Sequence, residues 1–167
     1  MIREAKDEDA EQVGAVLHAC YNISDISEGE AVFRSEVQKG HRYIAAEDSS
    51  GKIIGIVTLI VHGLFKHGLA ELDRIAVLPE GRGTGIATAL VDALVAHAQG
   101  LYREHDAALR KLYLLTHHDN ERAQAFYRKV GFTHEATLPA HYYTGKDEHV
   151  FSMFFPAGAQ EREIKKE

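Results

Sequence analysis

The stretch Ala70-Glu71-Leu72-Asp73-Arg74-Ile75-Ala76-Val77-Leu78-Pro79-Glu80-Gly81-Arg82-Gly83-Thr84-Gly85-Ile86-Ala87-Thr88 decides how this chain folds. Its first part, Ala70 to Val77, is a β-rich run stopped by Leu78-Pro79-Glu80-Gly81. A glycine-rich turn follows. A helix then starts near Gly85, with Ile86, Ala89, Leu90, Ala93, Leu94 and His97 at i, i+3, i+4 spacing. The first turn of such a helix presents N–H groups with no partner inside the helix. Glycine lets that backbone approach a ligand closely. Amides and helix dipole together favour an anion, best a phosphate or pyrophosphate. Arg82 adds a cationic fork beside them. Taken alone, such a turn reads first as plain geometry between strand and helix.

Two nucleotide motifs fail here. No Lys follows Gly85, as a P-loop requires. Gly83-x-Gly85-x-x-Thr88 lacks the third glycine of the dinucleotide fingerprint, and the next strand ends in Thr116-His117-His118 rather than an acid.

Working outward, Ile2 to Ala5 reads as a short strand, and Ala10, Val13, Leu17 and Cys20 recur at helical spacing after Asp7-Glu8-Asp9. A second helix is expected from Ser27 to Lys39, closed by Gly40. Arg42 to Glu47 and Lys52 to Val61 form a hairpin around Asp48-Ser49-Ser50-Gly51. His62 to Leu69 reads as a loop. Beyond the long helix, Gly100 is expected to interrupt it and Leu101 to Arg110 to be a polar connection. Lys111 to Thr116 reads as a strand and Asn120 to Val130 as a helix, with Asn120 its N-cap and Gly131 its stop. Thr133 to Leu138 and His149 to Phe155 close the fold around a loop from Pro139 to Glu148. Strands and helices in this order predict a mixed α/β domain with helices on both faces of the sheet.

The chain has 167 residues, 45% hydrophobic and 26% charged, which is globular composition for one domain. The expected domain runs over 1–155, followed by a charged tail from Pro156. A net charge of −6 without a basic stripe argues against nucleic acid as a partner. No run approaches the roughly 20 apolar residues of a membrane span, and Met1 to Asp7 is too charged for a signal peptide. Cys20, the single cysteine, cannot form an internal disulfide, which fits the cytoplasm. A homodimer is left open.

Two motifs carry a family resemblance. Arg82-x-x-Gly85-x-Ala87 after Ile75-Ala76-Val77-Leu78-Pro79-Glu80 resembles the acyl-CoA pyrophosphate loop of the GNAT superfamily of N-acetyltransferases. One strand later, Asn120-x-x-Ala123-x-x-Phe126-Tyr127-x-x-x-Gly131-Phe132 resembles that family's second signature. The resemblance covers roughly Ile2 to Phe155. It implies a mostly antiparallel sheet of about seven strands, splayed between strands 4 and 5, and acetyl-CoA as cosubstrate. It further implies that Arg82, Gly83, Thr84, Gly85, Ile86, Ala87, Thr88 and Asn120 hold the cofactor, and that the Ile75, Ala76 and Val77 backbone pairs with the pantetheine arm.

The reaction so implied moves acetyl to a primary amine. Asn120 and Tyr127 lie on nearly one helix face with small Ala123 between them, while Phe126 and Val130 read as core. By the resemblance, Tyr127 protonates the departing thiolate. An alkyl amine is roughly one part in a thousand or less neutral at pH 7, so a base is needed. Glu71 is the first candidate and Asp73, also placed toward the acceptor, the second; the alternative for Glu71 is a surface ion pair with Arg74. Alternation puts Glu71, Asp73, Ile75 and Val77 on one face, and a bulge near Asp73–Arg74 would separate the acids from the apolar pair. The Val77 N–H is the simplest oxyanion donor.

Tyr142-Tyr143 before Gly145 resembles the protein N-terminal acetyltransferase branch, the ribosomal-protein alanine type included. These tyrosines either wall an acceptor groove or merely cover the core end. His117-His118-Asp119 is not expected to bind a metal, because adjacent strand-end side chains diverge and no third ligand is spaced nearby; the alternative for His117 or His118 is to line the acceptor pocket. The acceptor is therefore a protein or peptide N-terminus or a small-molecule amine, with no metal required. The alternative from another class is a non-catalytic acyl-CoA-binding sensor.

Overall fold

The computed structural model describes residues 1–156; the expected charged tail lies, from 157 on, outside the described residues. Among the described residues seven strands and four α-helices follow one another as β1 (Ile2–Glu4), α1 (Ala10–Cys20), α2 (Ile26–Gln38), β2 (Arg42–Glu47), β3 (Ile53–His62), β4 (Leu69–Val77), α3 (Ile86–Glu104), β5 (Lys111–His117), α4 (Glu121–Lys129), β6 (Thr133–Tyr143) and β7 (Lys146–Phe154). They gather into two compact units: Met1–Val61 with Glu71–Ala98, and His62–Ala70 with Gln99 onward.

In the first unit the strands follow the order β1-β2-β3-β4, and β1–β2 and β2–β3 pair antiparallel. Tyr43 and Ala45 share an apolar cluster with Val13, Leu17 and Phe33 of the two N-terminal helices. Gly55 lies opposite Ala46, and a Cβ there would come within 3.1 Å of Leu90 on α3. Helices therefore cover both faces of this half, as the element order predicted. Helices α1 and α2 touch backbone to backbone: a Cβ on Gly29 would meet the Gly14 carbonyl oxygen at 2.5 Å. Asp25 caps α2 by accepting from the Glu28 N–H at 2.7 Å, and Gly40 ends it at φ +94°. Arg3 forks onto buried Asp9 at 2.7 and 2.9 Å and reaches Glu47 at 2.8 Å, fastening β1 to the start of α1.

In the second unit β5, β7 and β6 lie side by side in antiparallel register. The Gly68 carbonyl, just before β4, accepts from the Arg110 and Lys111 amides at 2.8 and 3.0 Å. The beginnings of β4 and β5 thus run alongside in the same direction. Phe132, Phe151, Leu112 and Leu114 form the apolar interior of this unit.

Three expectations need correcting. Gly100 does not interrupt α3, which runs on to Glu104. Leu101 and Tyr102 extend the buried stripe, and the Tyr102 hydroxyl donates to the Leu69 carbonyl at 2.6 Å. That burial outweighs the cost of about 1 kcal/mol for glycine in a helix. The span His62 to Leu69 is not all loop, since β3 continues to His62 and a short 3-10 turn, Phe65–His67, leads into β4. The loop from Pro139 to Glu148 is instead a continuation of β6 and β7, joined by Thr144-Gly145 with Gly145 at φ +76°. Glycine in the left-handed region suits a two-residue hairpin.

Candidate active site

The glycine turn sits in the first unit between the 3-10 turn Pro79–Gly81 and α3. Gly83 and Gly85 adopt φ +75° and +84°, a region that disfavours any side chain. A Cβ on either would meet nothing within 4 Å, so the space before them is open. Thr84 donates its hydroxyl to the Gly81 carbonyl at 2.5 Å, which folds the turn back on itself. The bond entering α3 from the turn runs from the Ala89 N–H to Gly85 at 3.0 Å. The amides before it, through Ile86, Ala87 and Thr88, belong to the unbonded first turn. An exposed run of backbone donors with no Cβ in the way suits the oxygens of a diphosphate. The Arg82 Nε donates to the Val77 carbonyl at 3.1 Å, which ties the guanidinium to the end of β4 beside the turn.

Strand β4 leads into this turn. Ala70, Leu72 and Ala76 are buried, so even-numbered side chains face inward throughout and the strand does not switch faces at Asp73–Arg74. The bulge expected there is not needed. Arg74 is tolerated on the inner face because its Nη1 donates to both Glu36 oxygens, at 2.6 and 2.7 Å, while Tyr43 donates to the same carboxylate. Arg74 thus pairs with Glu36, and with Asp73 at 3.5 Å. The Glu71, Asp73, Ile75 and Val77 side chains share the other face. Burial raises the Asp73 carboxyl above its ordinary value, Arg74 lowers it, and the charge of Glu71 raises it further. The Ile75 carbonyl accepts from the Tyr21 hydroxyl at 3.1 Å, and Cys20 Sγ stands 4.0 Å from the Val77 carbonyl. Burial pushes the Cys20 thiol up, against the pull of Arg82 beside it.

Helix α4 belongs to the second unit. The Asn120 side chain accepts from the Ala123 N–H at 3.1 Å, confirming the N-cap. Tyr127 is only 9% exposed, among Phe126, Phe132 and Phe151. Burial alone pushes its phenol up to about 12, so it holds its proton throughout the neutral range. The buried residues of this helix are Gln124 and Tyr127, while Phe126, expected as core, is half-buried. An open glycine turn after a strand bearing two acids, and a capped helix with a buried tyrosine, stand at the positions of the two sequence motifs.

Residues 10–132 match the model of the Acetyltransferase (GNAT) family. The chain belongs to the GNAT acetyltransferase family. A mycothiol acetyltransferase of Pseudarthrobacter chlorophenolicus is 32% identical over 95 residues, which cover 54% of this chain and 27% of that protein. An uncharacterized N-acetyltransferase of Mycobacterium bovis is 32% identical over 108 residues, covering 65% of this chain and 64% of the relative. The chain therefore spans about a quarter of the length of the mycothiol acetyltransferase it matches. Among solved structures, a spermidine N-acetyltransferase variant from Vibrio cholerae has a TM-score of 0.74 at 21% identity, covering 92% of each chain. A GNAT-family acetyltransferase from Desulfovibrio desulfuricans gives 0.72 at 20% identity, over 92% of this chain and 98% of that one. These likenesses show that the fold is the GNAT fold.

Within this GNAT fold Tyr142 and Tyr143 end strand β6 at 62% and 63% exposure, so they do not cover the core end. His118 Nδ1 accepts from the Asp147 N–H at 3.2 Å. His117 meets Glu148, which stands directly opposite it across β5 and β7. Among the described residues Glu36, His41 and Asp73 bring possible metal-ligand atoms within 4.8 Å of one another. The Arg74 guanidinium already spans both Glu36 oxygens there, so the charge a cation would neutralise is met. Sequence reading missed Tyr21 and Glu148. Tyr21 follows α1 with no motif around it, and Glu148 looked like an acid of a loop. Among the described residues no helix is long and apolar enough to cross a membrane.

Proposed function

We propose that this chain is a CoA-dependent N-acetyltransferase that passes the acetyl group of acetyl-CoA directly to a primary amine. The observation that carries the reading is the open turn Arg82–Thr88, with Gly83 and Gly85 left-handed, directly after an acid-bearing strand. Its amides bind the diphosphate of acetyl-CoA, with Asn120 contributing from the other signature. The Ile75–Val77 backbone takes the pantetheine arm. Carbonyls have two lone pairs, so those engaged by Tyr21 and Arg82 can accept a second donor.

The acceptor enters as an ammonium ion. Glu71 draws it in and takes a proton, with Asp73, whose raised carboxyl is the more basic for being buried, as its neighbour on the same face. The neutral amine attacks the thioester carbon, and the Val77 N–H steadies the oxyanion. Tyr127 gives its proton to the leaving sulfur. The thioester itself is the activated group, so orientation and proton handling are the protein's part. The acceptor is a protein or peptide N-terminus or a small polyamine-like amine. The exposed Tyr142-Tyr143 pair favours the former, and the likeness to spermidine N-acetyltransferases the latter.

The test is release of free CoA thiol from acetyl-CoA across spermidine, simple diamines and a peptide with a free N-terminal alanine. Acetyl-CoA should also raise the melting temperature, as ligand linkage requires. A melting shift with no thiol from any amine would make the chain an acyl-CoA sensor; neither response would end the reading.

A further inference from the structure

Strand β4 has one edge against β3 and one turned away from it. The Leu78 amide, just past the strand's end, donates to the Ile54 carbonyl of β3 at 2.8 Å. Backbone N–H and C=O groups alternate sides along a strand, so those of Ile75 and Val77 face the other way. Both carbonyls on that far edge are taken by side chains. Val77 accepts from Arg82 Nε and Ile75 from the Tyr21 hydroxyl, each at 3.1 Å. All four residues lie in the first unit. The Arg82 bond belongs to the turn. The Tyr21 bond comes from the end of α1, and no step of the reaction above uses it.

Tyr21 is held in place on several sides. Its N–H donates to the Leu17 carbonyl and its carbonyl accepts from the Ile23 N–H, both at 2.9 Å, so its backbone is pinned where α1 ends. The Arg74 guanidinium carbon stands 5.7 Å from the centre of its ring. Arg74 is itself anchored on both Glu36 oxygens, so the ring has a fixed backing as well as a tethered hydroxyl.

From the turn upward, the far edge of β4 offers the Val77 carbonyl, the Val77 N–H and then the Ile75 carbonyl. A ligand with its diphosphate at the turn and its thioester oxygen at the Val77 N–H meets the Ile75 carbonyl next. The part of that ligand lying beyond the thioester carbon is the acyl chain. Groups gathered around one carbonyl oxygen stand roughly 4–5 Å apart, close to van der Waals contact. A chain arriving there therefore touches Tyr21. An acetyl group ends after one methyl, whereas each further methylene has to push against a ring tied at its hydroxyl and backed by Arg74.

We infer that Tyr21 is a specificity-determining residue that limits the transferred acyl group to acetyl. It acts by closing the space beyond the thioester, not by taking part in the chemistry. The inference rests on the acetyl-transfer reading and on the Val77 oxyanion site given with it.

The test is thiol release from acetyl-, propionyl-, butyryl- and hexanoyl-CoA with the amine that turns over best, on the wild type, Tyr21→Leu and Tyr21→Ala. Melting temperatures check that the variants fold. In the wild type each added methylene should lower kcat/KM roughly 10-fold or more. Both variants should raise the butyryl-to-acetyl ratio of kcat/KM at least about 10-fold, alanine more than leucine, while acetyl transfer continues. A merely structural role would lower the melting temperature and leave that ratio where it was. A wild type that transfers butyryl as readily as acetyl would overturn the inference without any variant, and so would folded variants with the wild-type ratio. In either case acetyl transfer itself would still stand. A wild type that releases no thiol from any of these acyl-CoAs would overturn both.

Discussion

Tyr127 sits among Phe126, Phe132 and Phe151, so exchanging it for phenylalanine removes a hydroxyl and leaves the ring packing in place. If its proton goes to the leaving sulfur, Tyr127→Phe should slow thiol release roughly 10–1000-fold with little change in acetyl-CoA affinity, because general-acid help acts in the transition state. Steady-state kinetics beside calorimetric binding checks both halves. Gly85→Val should behave in the opposite way, weakening acetyl-CoA binding outright. A branched residue cannot hold φ +84° without strain, and its methyls would project into the space before the helix amides. Calorimetric titration with acetyl-CoA reads that loss directly. Both residues were legible in the sequence because their signals are local: glycines at a strand-to-helix turn, and a tyrosine at fixed spacing from a cap. Tyr21 and Glu148 were not, since each is defined by a partner far along the chain, Ile75 for one and His117 for the other.

At the scale of elements, β4 keeps its course because one charged side chain on its inner face is fully answered. Glu36 receives Arg74 through both oxygens and Tyr43 through its hydroxyl, and these bonds hold its carboxyl below the ordinary range although burial pushes the other way. Glu36→Ala should therefore cost about 2–4 kcal/mol of stability by stranding a half-buried guanidinium, measurable as a lower urea midpoint at unchanged slope. Alternation of polar and apolar residues made this strand look irregular, and a bulge was the local remedy. The remedy lies instead in α2 and β2, which no reading of β4 alone could reveal. The end of α3 teaches the same lesson. Glycine is a fair stop signal, yet Tyr102 finds the Leu69 carbonyl and complete burial, and tertiary packing prevails over propensity. The continuation of β6 and β7 through Pro139 to Glu148 escaped notice for the contrary reason. Its first strand is exposed almost throughout, so no hydrophobic period marks it.

For the molecule as a whole, acid stability should depend on the Arg3–Asp9–Glu47 group. Asp9 is buried, and the hydrogen bonds from Arg3 hold its carboxyl below the usual carboxylate range despite the burial. A lowered folded value means the contribution is present above the unfolded value near 3.9 and disappears as pH falls through the folded one. Asp9→Asn should thus lower the melting temperature at pH 7 and flatten its decline between about pH 5 and 2, as calorimetric scans at successive pH values would show. The glycines divide by the same whole-molecule logic. Gly14 and Gly29 let two helices cross with main chains in contact, whereas Gly83 and Gly85 face open space. In a library randomised at all four positions, screening for expression alone would empty the first pair of every alternative but tolerate many at the second. Only a screen for catalysis would empty both, so comparing the survivors would separate, codon by codon, what this sequence needs to exist from what it needs to work.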